Sequence, residues 1–405
     1  MTNDRGPEAR LDAQARVVGP GLGDVVTLFR SSPTLTRAAV ARRTGLSRAT
    51  VNQRLDALIT AGLIVPAGEA TPTRGRPASH FALNASRGVL LVADIGATAM
   101  RTALCDLAGT ILEEQSEAAD VTDGPEAILS FVQELFEKML STSGCDAEEV
   151  HGIGIAVPGP VDIETGQAIS PPIMTGWDRY DIPSWFARHY RCPVFVDKDA
   201  NAMAFGEHRR VHPNVADMMF LKVGTGVGSG IIADGRSYRG ADGAAGDIGH
   251  NELPIQDEME PPLCRCGNTG CVEAYAGGWA LVRDLRAEHH DIDTVDQAVA
   301  LVRAGDPTAV RLTRRAGRIL GAALADAVSL LNPRVIVVGG QLAQAEEQLF
   351  AGMREIIYRR SLPLATRDLL ILPSRLDQRA GVVGLTLLVA DRIFAADNIA
   401  KIVAS

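Results

Sequence analysis

From Asp24 to about Leu63 apolar residues recur at helical spacing, whereas after Arg87 they come in short runs broken by glycine-rich turns. In "TLTRAAVARRTGLSRATVNQRLDALITAGLIV", Thr36 is placed to cap a helix ending at Gly45, and Ser47 to cap a second ending at Gly62. The pattern is helix, short glycine turn, helix. Val51, Leu55, Leu58 and Ile59 fall on one apolar face of the second helix. A punctuated stretch, Pro66 to Pro77, then leads into a strand-like "SHFALN". Beyond Arg87, "GVLLVADIGATAMRTALCDLAGTILEE" reads as three strands, followed by a helix near Pro125 to Leu140, a buried strand at Gly152 to Val157, and a strand at Pro193 to Asp197 that runs into a helix from Ala200. A second strand-rich start, "MMFLKVGTGVGSGIIADG", begins near Asp217. Two such starts predict a duplicated α/β fold with a cleft between lobes.

At 405 residues the chain suits more than one core, and its 46% hydrophobic and 22% charged residues describe folded protein. Residues 1–20 are polar and without periodicity, predicting a disordered tail with no signal-peptide core. The longest apolar runs, such as Val89 to Ala93 and Val335 to Val338, fall far short of the ~20 residues a membrane helix needs, so a cytoplasmic protein without membrane contact is expected. The net charge of -9 hides an asymmetry: residues 1–90 hold 12 Arg, no Lys and 6 acidic residues, leaving -15 for the remainder. A basic head on an acidic body suits a polyanion-binding module fused to a soluble sensor.

On the second helix, Arg48, Thr50, Asn52, Gln53 and Arg54 lie off the apolar face, with Ser47 at its start. Arg, Asn and Gln can make bidentate contacts to base edges in a major groove, so these residues are candidate contacts to a double-stranded DNA operator. The alternative is a helical hairpin serving as a dimerisation arm. Downstream, Arg74, Gly75, Arg76 and Pro77 form the expected tip of a wing, two guanidiniums suited to a narrow minor groove; a basic linker is the other reading.

Three strand ends carry glycine: Asp94, Gly96 and Thr98 in "ADIGATAMR"; Gly224, Thr225, Gly226, Gly228 and Gly230 in "VGTGVGSGI"; and Gly339 with Gly340 in "NPRVIVVGGQLA". Turns of this kind expose N–H groups that bind phosphate, although sterics alone also favour glycine there. "AAGDIGH" is followed after 13 residues by "CRCGNTGCVEAYAG". His250, Cys264, Cys266 and Cys271 make a donor set for a closed, structural zinc site, which would hold the loop bearing Glu273. The scattered Cys105, Cys145 and Cys192 read as buried small residues.

The three strand ends resemble those of the actin-like ATPase and sugar-kinase fold. With the Cys-rich motif and the head, residues 24 to 395 resemble the ROK family of repressors and kinases. The resemblance implies an N-terminal winged helix-turn-helix at 21–86, then a two-lobed actin-like ATPase/sugar-kinase (ROK) α/β domain at 87–405. Lobe I is expected at about 87–205 plus the C-terminal helix, and lobe II at about 206–390. It further implies that Asp94, Gly96 and Thr98 form a first phosphate motif and Gly224 to Gly230 a second. Asp199, Asn201, Asp247, His250 and Glu273 would line a sugar pocket whose rim includes Gly159, with Asp199 as the base of a kinase. Four positions depart from the kinase pattern: Ala97 and Ala99 replace a Gly and a Lys, Lys198 replaces an Asn, and Asp247 replaces a Glu. Lys198 could pair with Asp199 and weaken it as a base.

The expected function is therefore a sugar-responsive transcription regulator, a homodimer or homotetramer with a sugar or sugar-phosphate effector. The alternatives are an active sugar kinase using Mg-ATP that also binds DNA, and a sensor read by a partner protein.

Overall fold

The Thr36 hydroxyl accepts from the Ala39 N–H and the Ser47 hydroxyl from the Thr50 N–H, so both helices of the head begin at the residues equipped to cap them. In this computed structural model, which describes residues 21–69, 79–253 and 260–404, the head comprises α1 (Leu22–Arg30), β1 (Leu35–Thr36), α2 (Arg37–Thr44), α3 (Arg48–Thr60), β2 (Ile64–Glu69) and β3 (Ser79–Leu83). The strands pair in the order β1-β3-β2, the small sheet of a winged helix. Gly45 takes φ +69°, the left-handed conformation that lets α2 turn tightly into α3. Val51, Leu55 and Leu58 of α3 pack with Val25, Val26 and Phe29 of α1 inside the head. The expected wing tip, with Arg74 and Arg76, lies outside the described residues.

The second unit is two copies of one sheet plan. The first sheet is built from β4 (Val89–Ile95), β5 (Ala99–Asp106), β6 (Ile111–Ala118), β7 (Val150–Val157) and β10 (Val194–Lys198), ordered β10-β7-β4-β5-β6. Between its strands come α4 (Pro125–Ser143), the small pair β8 (Val161–Asp162) and β9 (Gln167–Ala168), and α5 (Ile182–Phe186); α6 (Asp199–Arg210) follows β10 directly. The second sheet uses β11 (Met218–Val223), β12 (Val227–Ala233), β13 (Arg236–Tyr238), β14 (Val335–Gly339) and β15 (Leu370–Pro373), ordered β13-β12-β11-β14-β15. Each sheet is thus an antiparallel three-strand meander extended by two parallel strands: β7 and β10 beside β4, β14 and β15 beside β11. That is the duplicated α/β fold the sequence predicts. Its buried parallel strands, such as "VIVVG", are apolar on both faces because helices cover both.

The second lobe is completed by α7 (Val272–Ala276), α8 (Gly278–Ala287), α9 (Val295–Arg303), α10 (Pro307–Leu331), α11 (Glu346–Arg360) and α12 (Pro363–Thr366). The last long helix, α13 (Ala380–Ile393), lies against β4 and β7 of the first sheet. No helix among the described residues is long and apolar enough to cross a membrane.

The two compact units are Ala85–Ile393 and the N-terminal part up to Asn84 joined by the segment from Phe394 onward. The sequence-based boundary had left residues 394–405 with the second unit. The difference has a packing origin: α14 (Ala396–Ala404) lies on α1 and α3, with Phe394 2% and Ile399 1% exposed. Gly23 of α1 makes the approach possible, since a Cβ there would stand 2.1 Å from the Phe394 carbonyl oxygen.

Candidate functional site

Ser47, Arg48, Asn52 and Gln53 are exposed on α3, Thr50 is half-buried, and Arg54 is half-buried with its Nη1 enclosed. Arg54 is therefore less free than its helical position suggested. Ser47 spends its hydroxyl as the cap, bonding also to Thr50 Oγ1 at 2.9 Å. A residue missed from sequence is Arg37 of α2. Its Nη1 donates to Asn52 Oδ1 at 3.2 Å, its Nη2 to Asp56 Oδ1 at 2.6 Å, and its guanidinium lies 5.1 Å from the Phe81 ring centre.

The Cys-rich motif folds into one cluster. His250 ends a short 3-10 turn, while Cys264 and Cys266 sit in a tight turn where Gly267 N–H donates to Cys264 O. Cys271 immediately precedes α7. The four ligand atoms lie within 4.8 Å of one another, with Cys264 Sγ 3.7 Å from His250 Nδ1 and Cys266 Sγ 3.7 Å from Cys271 Sγ. A tetrahedron with metal–sulfur bonds of ~2.3 Å has edges of ~3.8 Å, so the donor set fits a four-coordinate zinc-type ion. Burial pushes the thiols of Cys264 and Cys271 up, and the neighbouring sulfurs add to it. A bound divalent cation would reverse that by stabilising thiolates.

Two residues beyond this cluster stands Glu273 on α7. It is 5% exposed; its Oε2 accepts from the Val227 N–H at 2.9 Å and its Oε1 from Trp279 Nε1 at 3.3 Å. Gly226 is obligatory for this contact, because a Cβ there would meet Glu273 Oε2 at 2.4 Å. At this position the glycine of the second Gly-rich turn is thus explained by packing before any phosphate is invoked.

The cleft, about 220 Å³, is lined by Asp94, Gly96, Thr98, Gly159, Asp199, Gly224, Thr225, Gly226, Gly228, Asp247, His250, Glu273 and Gly340 among the expected residues. Asn201 and Gly339 are not among its lining residues. Asn201, 1% exposed, instead donates through Nδ2 to Asp197 Oδ1 at 2.9 Å, and Gly339 lies within β14. Asp197 also accepts from Arg239, whose Nη2 is 2.6 Å away.

Asp199 opens α6, with Oδ1 accepting from the Ala200 N–H at 2.5 Å and Oδ2 from Lys222 Nζ. Lys222, on β11, is the cation on Asp199; the expected partner Lys198 is not. Lys222 comes from β11 of the second sheet, while Lys198 ends β10 of the first and its Nζ makes no hydrogen bond among the described residues. A lysine inside the apolar strand "MMFLKV" was the signal that could have exposed Lys222. Desolvation opposes the Lys222 charge, but Asp199 and Asp94 outweigh it and raise its pKa. Asp94, half-buried at the end of β4, is pushed up to about 7 by desolvation, with Lys222 pulling the other way.

Comparison with known proteins agrees with this geometry. Residues 90–392 match the ROK family, and residues 25–65 match a winged helix-turn-helix DNA-binding family. A xylose repressor of Caldicellulosiruptor bescii is 28% identical over 374 residues, covering 89% of this chain and 92% of that protein. The crystal structure of a ROK family transcriptional regulator, described as a homologue of the E. coli MLC protein, superposes with a TM-score of 0.79 at 27% identity, covering 95% of this chain and 98% of that one. A ROK family glucokinase from Streptomyces griseus, solved with glucose and AMPPNP, gives a TM-score of 0.63 at 29% identity, covering 99% of its own chain but 75% of this one.

Proposed function

The chain belongs to the ROK family, and from that premise we propose that it is a sugar-responsive, DNA-binding transcriptional repressor of carbohydrate genes. One observation carries the reading: a winged helix-turn-helix and a kinase-like cleft stand in one chain, the full-length arrangement of the xylose repressor and not of the shorter glucokinase. Arg48, Asn52 and Gln53 read base edges in this proposal, with Thr50 and Arg54 contributing to the same groove and Arg74 and Arg76 entering the minor groove beside it. A palindromic operator calls for an even oligomer, a homodimer or homotetramer. In this reading the protein works where the DNA is, in the cytoplasm.

The effector is a sugar or sugar phosphate held at the Asp199, Asp247, His250, Glu273 and Gly159 end of the cleft, where carboxylates accept from its hydroxyls. His250, Cys264, Cys266 and Cys271 hold a structural zinc ion. With four protein donors it offers no open position, so its contribution is to fix the start of α7 and thereby Glu273. With Nδ1 toward the cluster, His250 has Nε2 left for the sugar.

A second reading, a kinase using Mg-ATP, is favoured by the presence of Asp199 in the cleft. Against it, both Asp199 oxygens already accept hydrogen bonds, and Ala97 and Ala99 flank the turn that would cradle phosphate. Asp94, Gly96, Thr98, Gly224 to Gly228 and Gly340 are accordingly read as a former nucleotide site.

The test is selection of binding sites from random duplex DNA by the full-length protein, followed by titration of the recovered duplex with sugars. A palindromic site released by one sugar is the expected result. Failure to enrich any sequence would end the repressor reading.

A further inference from the structure

Lys198 ends β10 with its side chain in the cleft, 6% exposed, and its Nζ has no hydrogen-bond partner among the described residues. The two cations around it are matched: Lys222 donates to Asp199, and Arg239 donates to Asp197. Its Cε lies 3.8 Å from where a Cβ on Gly228 would stand, which puts the end of the side chain beside the start of β12. An ammonium buried without a partner is costly, by several kcal/mol in general, and persists where something else supplies the counter-charge.

The acids of the cleft do not supply it fully. Asp199 is occupied by Lys222, and Asp94 is largely kept neutral by burial up to about pH 7. Glu273 is bonded by the Val227 and Trp279 N–H groups. Asp247 is the acid that most favours the Lys198 charge, yet no hydrogen bond joins the two. A neutral hydroxyl would bring Lys198 only a dipole. A carboxylate or phosphate would bring it a charge-assisted bond.

We infer that the effector is an acidic monosaccharide, whose carboxylate or phosphate accepts from the Lys198 ammonium while its hydroxyls face Glu273 and His250. The inference rests on the sugar-sensor reading above and narrows it. It also sets this cleft apart from one built for a neutral pentose or hexose.

The experiment is calorimetric titration of the full-length protein with matched pairs: D-glucose against D-glucuronate, D-gluconate and glucose 6-phosphate, and D-xylose against D-xylonate, with inorganic phosphate as a control. The expected result is that one acidic sugar binds at least about ten-fold more tightly than its neutral parent. The carboxylate and phosphate arms separate the two sources of the anion. Lys198→Met should abolish the preference and Lys198→Arg should keep it; Lys198→Gln serves where the Met variant does not fold, with operator binding in the absence of sugar as the check on folding.

A neutral parent bound as tightly as its acid would overturn the inference while leaving the sensor reading standing. So would a preference that survives in Lys198→Met, which would mean that another cation lining the cleft, such as Arg101, binds the anion. Inorganic phosphate binding as tightly as glucose 6-phosphate would equally refute it, since the sugar would then contribute nothing. Silence from every sugar, neutral and acidic, would bring down the sensor reading and the inference together.

Discussion

Lys222 on β11 donates to Asp199 at the start of α6, a bond joining the second sheet to the residue best placed to act as a base. The Ala200 N–H takes the other oxygen, so a sugar hydroxyl would have to share Asp199 with both donors, and Ala97 and Ala99 flank the turn that would cradle phosphate. The expected outcome is sugar binding without ATP-dependent turnover in a coupled phosphorylation assay. Asp199→Asn should change sugar affinity and leave no rate to lose. Sustained phosphorylation by wild type, absent from Asp199→Asn, would reverse the ranking of repressor over kinase.

Removing the cation is the harsher test of the same pair. Lys222→Met leaves the 4% exposed Asp199 without its partner, and breaking a buried pair from one side costs about 3 kcal/mol. Denaturant unfolding should show a loss of unfolding free energy of that order, largely recovered in the double variant Lys222→Met with Asp199→Asn. Additive losses would mean that the two residues are not energetically coupled.

Asp94 carries a stability signature in pH. Its pKa is raised from 3.8 to about 7 by desolvation, so between those values the folded state holds a proton that the unfolded state has released. Stability from this group is complete below pH 3.8, falls as pH rises toward 7, and is flat above, a total of about 4 kcal/mol. Measured from pH 4.5 to 8, wild type should lose stability relative to Asp94→Asn as pH climbs. Parallel curves would place Asp94 in a wetter environment.

Purified protein should carry about one equivalent of zinc per chain, and Cys266→Ser should lower both metal content and sugar affinity through Glu273, two residues from Cys271. Operator binding by the sugar-free protein should persist. A metal-free chain with unaltered sugar affinity is the result that would count against the site.

In the head, Asn52→Ala should cost about 1 to 3 kcal/mol at particular base pairs, as should Arg48→Ala. Arg37→Ala frees Asn52 from its 3.2 Å clamp and should broaden sequence preference rather than abolish binding. Uniform loss across all sequences, read by fluorescence anisotropy, would move these residues to the phosphate backbone.

Much of this architecture was legible in order along the chain. Capping hydroxyls at Thr36 and Ser47, a glycine between two helices and three thiols in eight positions are local chemistry, and local chemistry survives translation into sequence. What stayed hidden depended on which strand faces which. Nothing near Asp199 in sequence announces Lys222, 23 residues away on the other sheet. Asn201 sits two residues from Asp199, yet one helical step turns it toward Asp197 and out of the cleft lining. The destination of residues from Phe394 onward was equally invisible, because an amphipathic helix does not name the surface it will cover.

That last packing sets an order of manufacture. The residues of α1 to α3 leave the ribosome well before Phe394 and Ile399, which are buried in the same compact unit. A nascent or prematurely terminated chain therefore carries α3 on a head still lacking part of its interior. By drawing Phe394 and Ile399 into the unit of α1 to α3, the fold completes the interior of the helix-turn-helix head only once the α/β unit between them has been made.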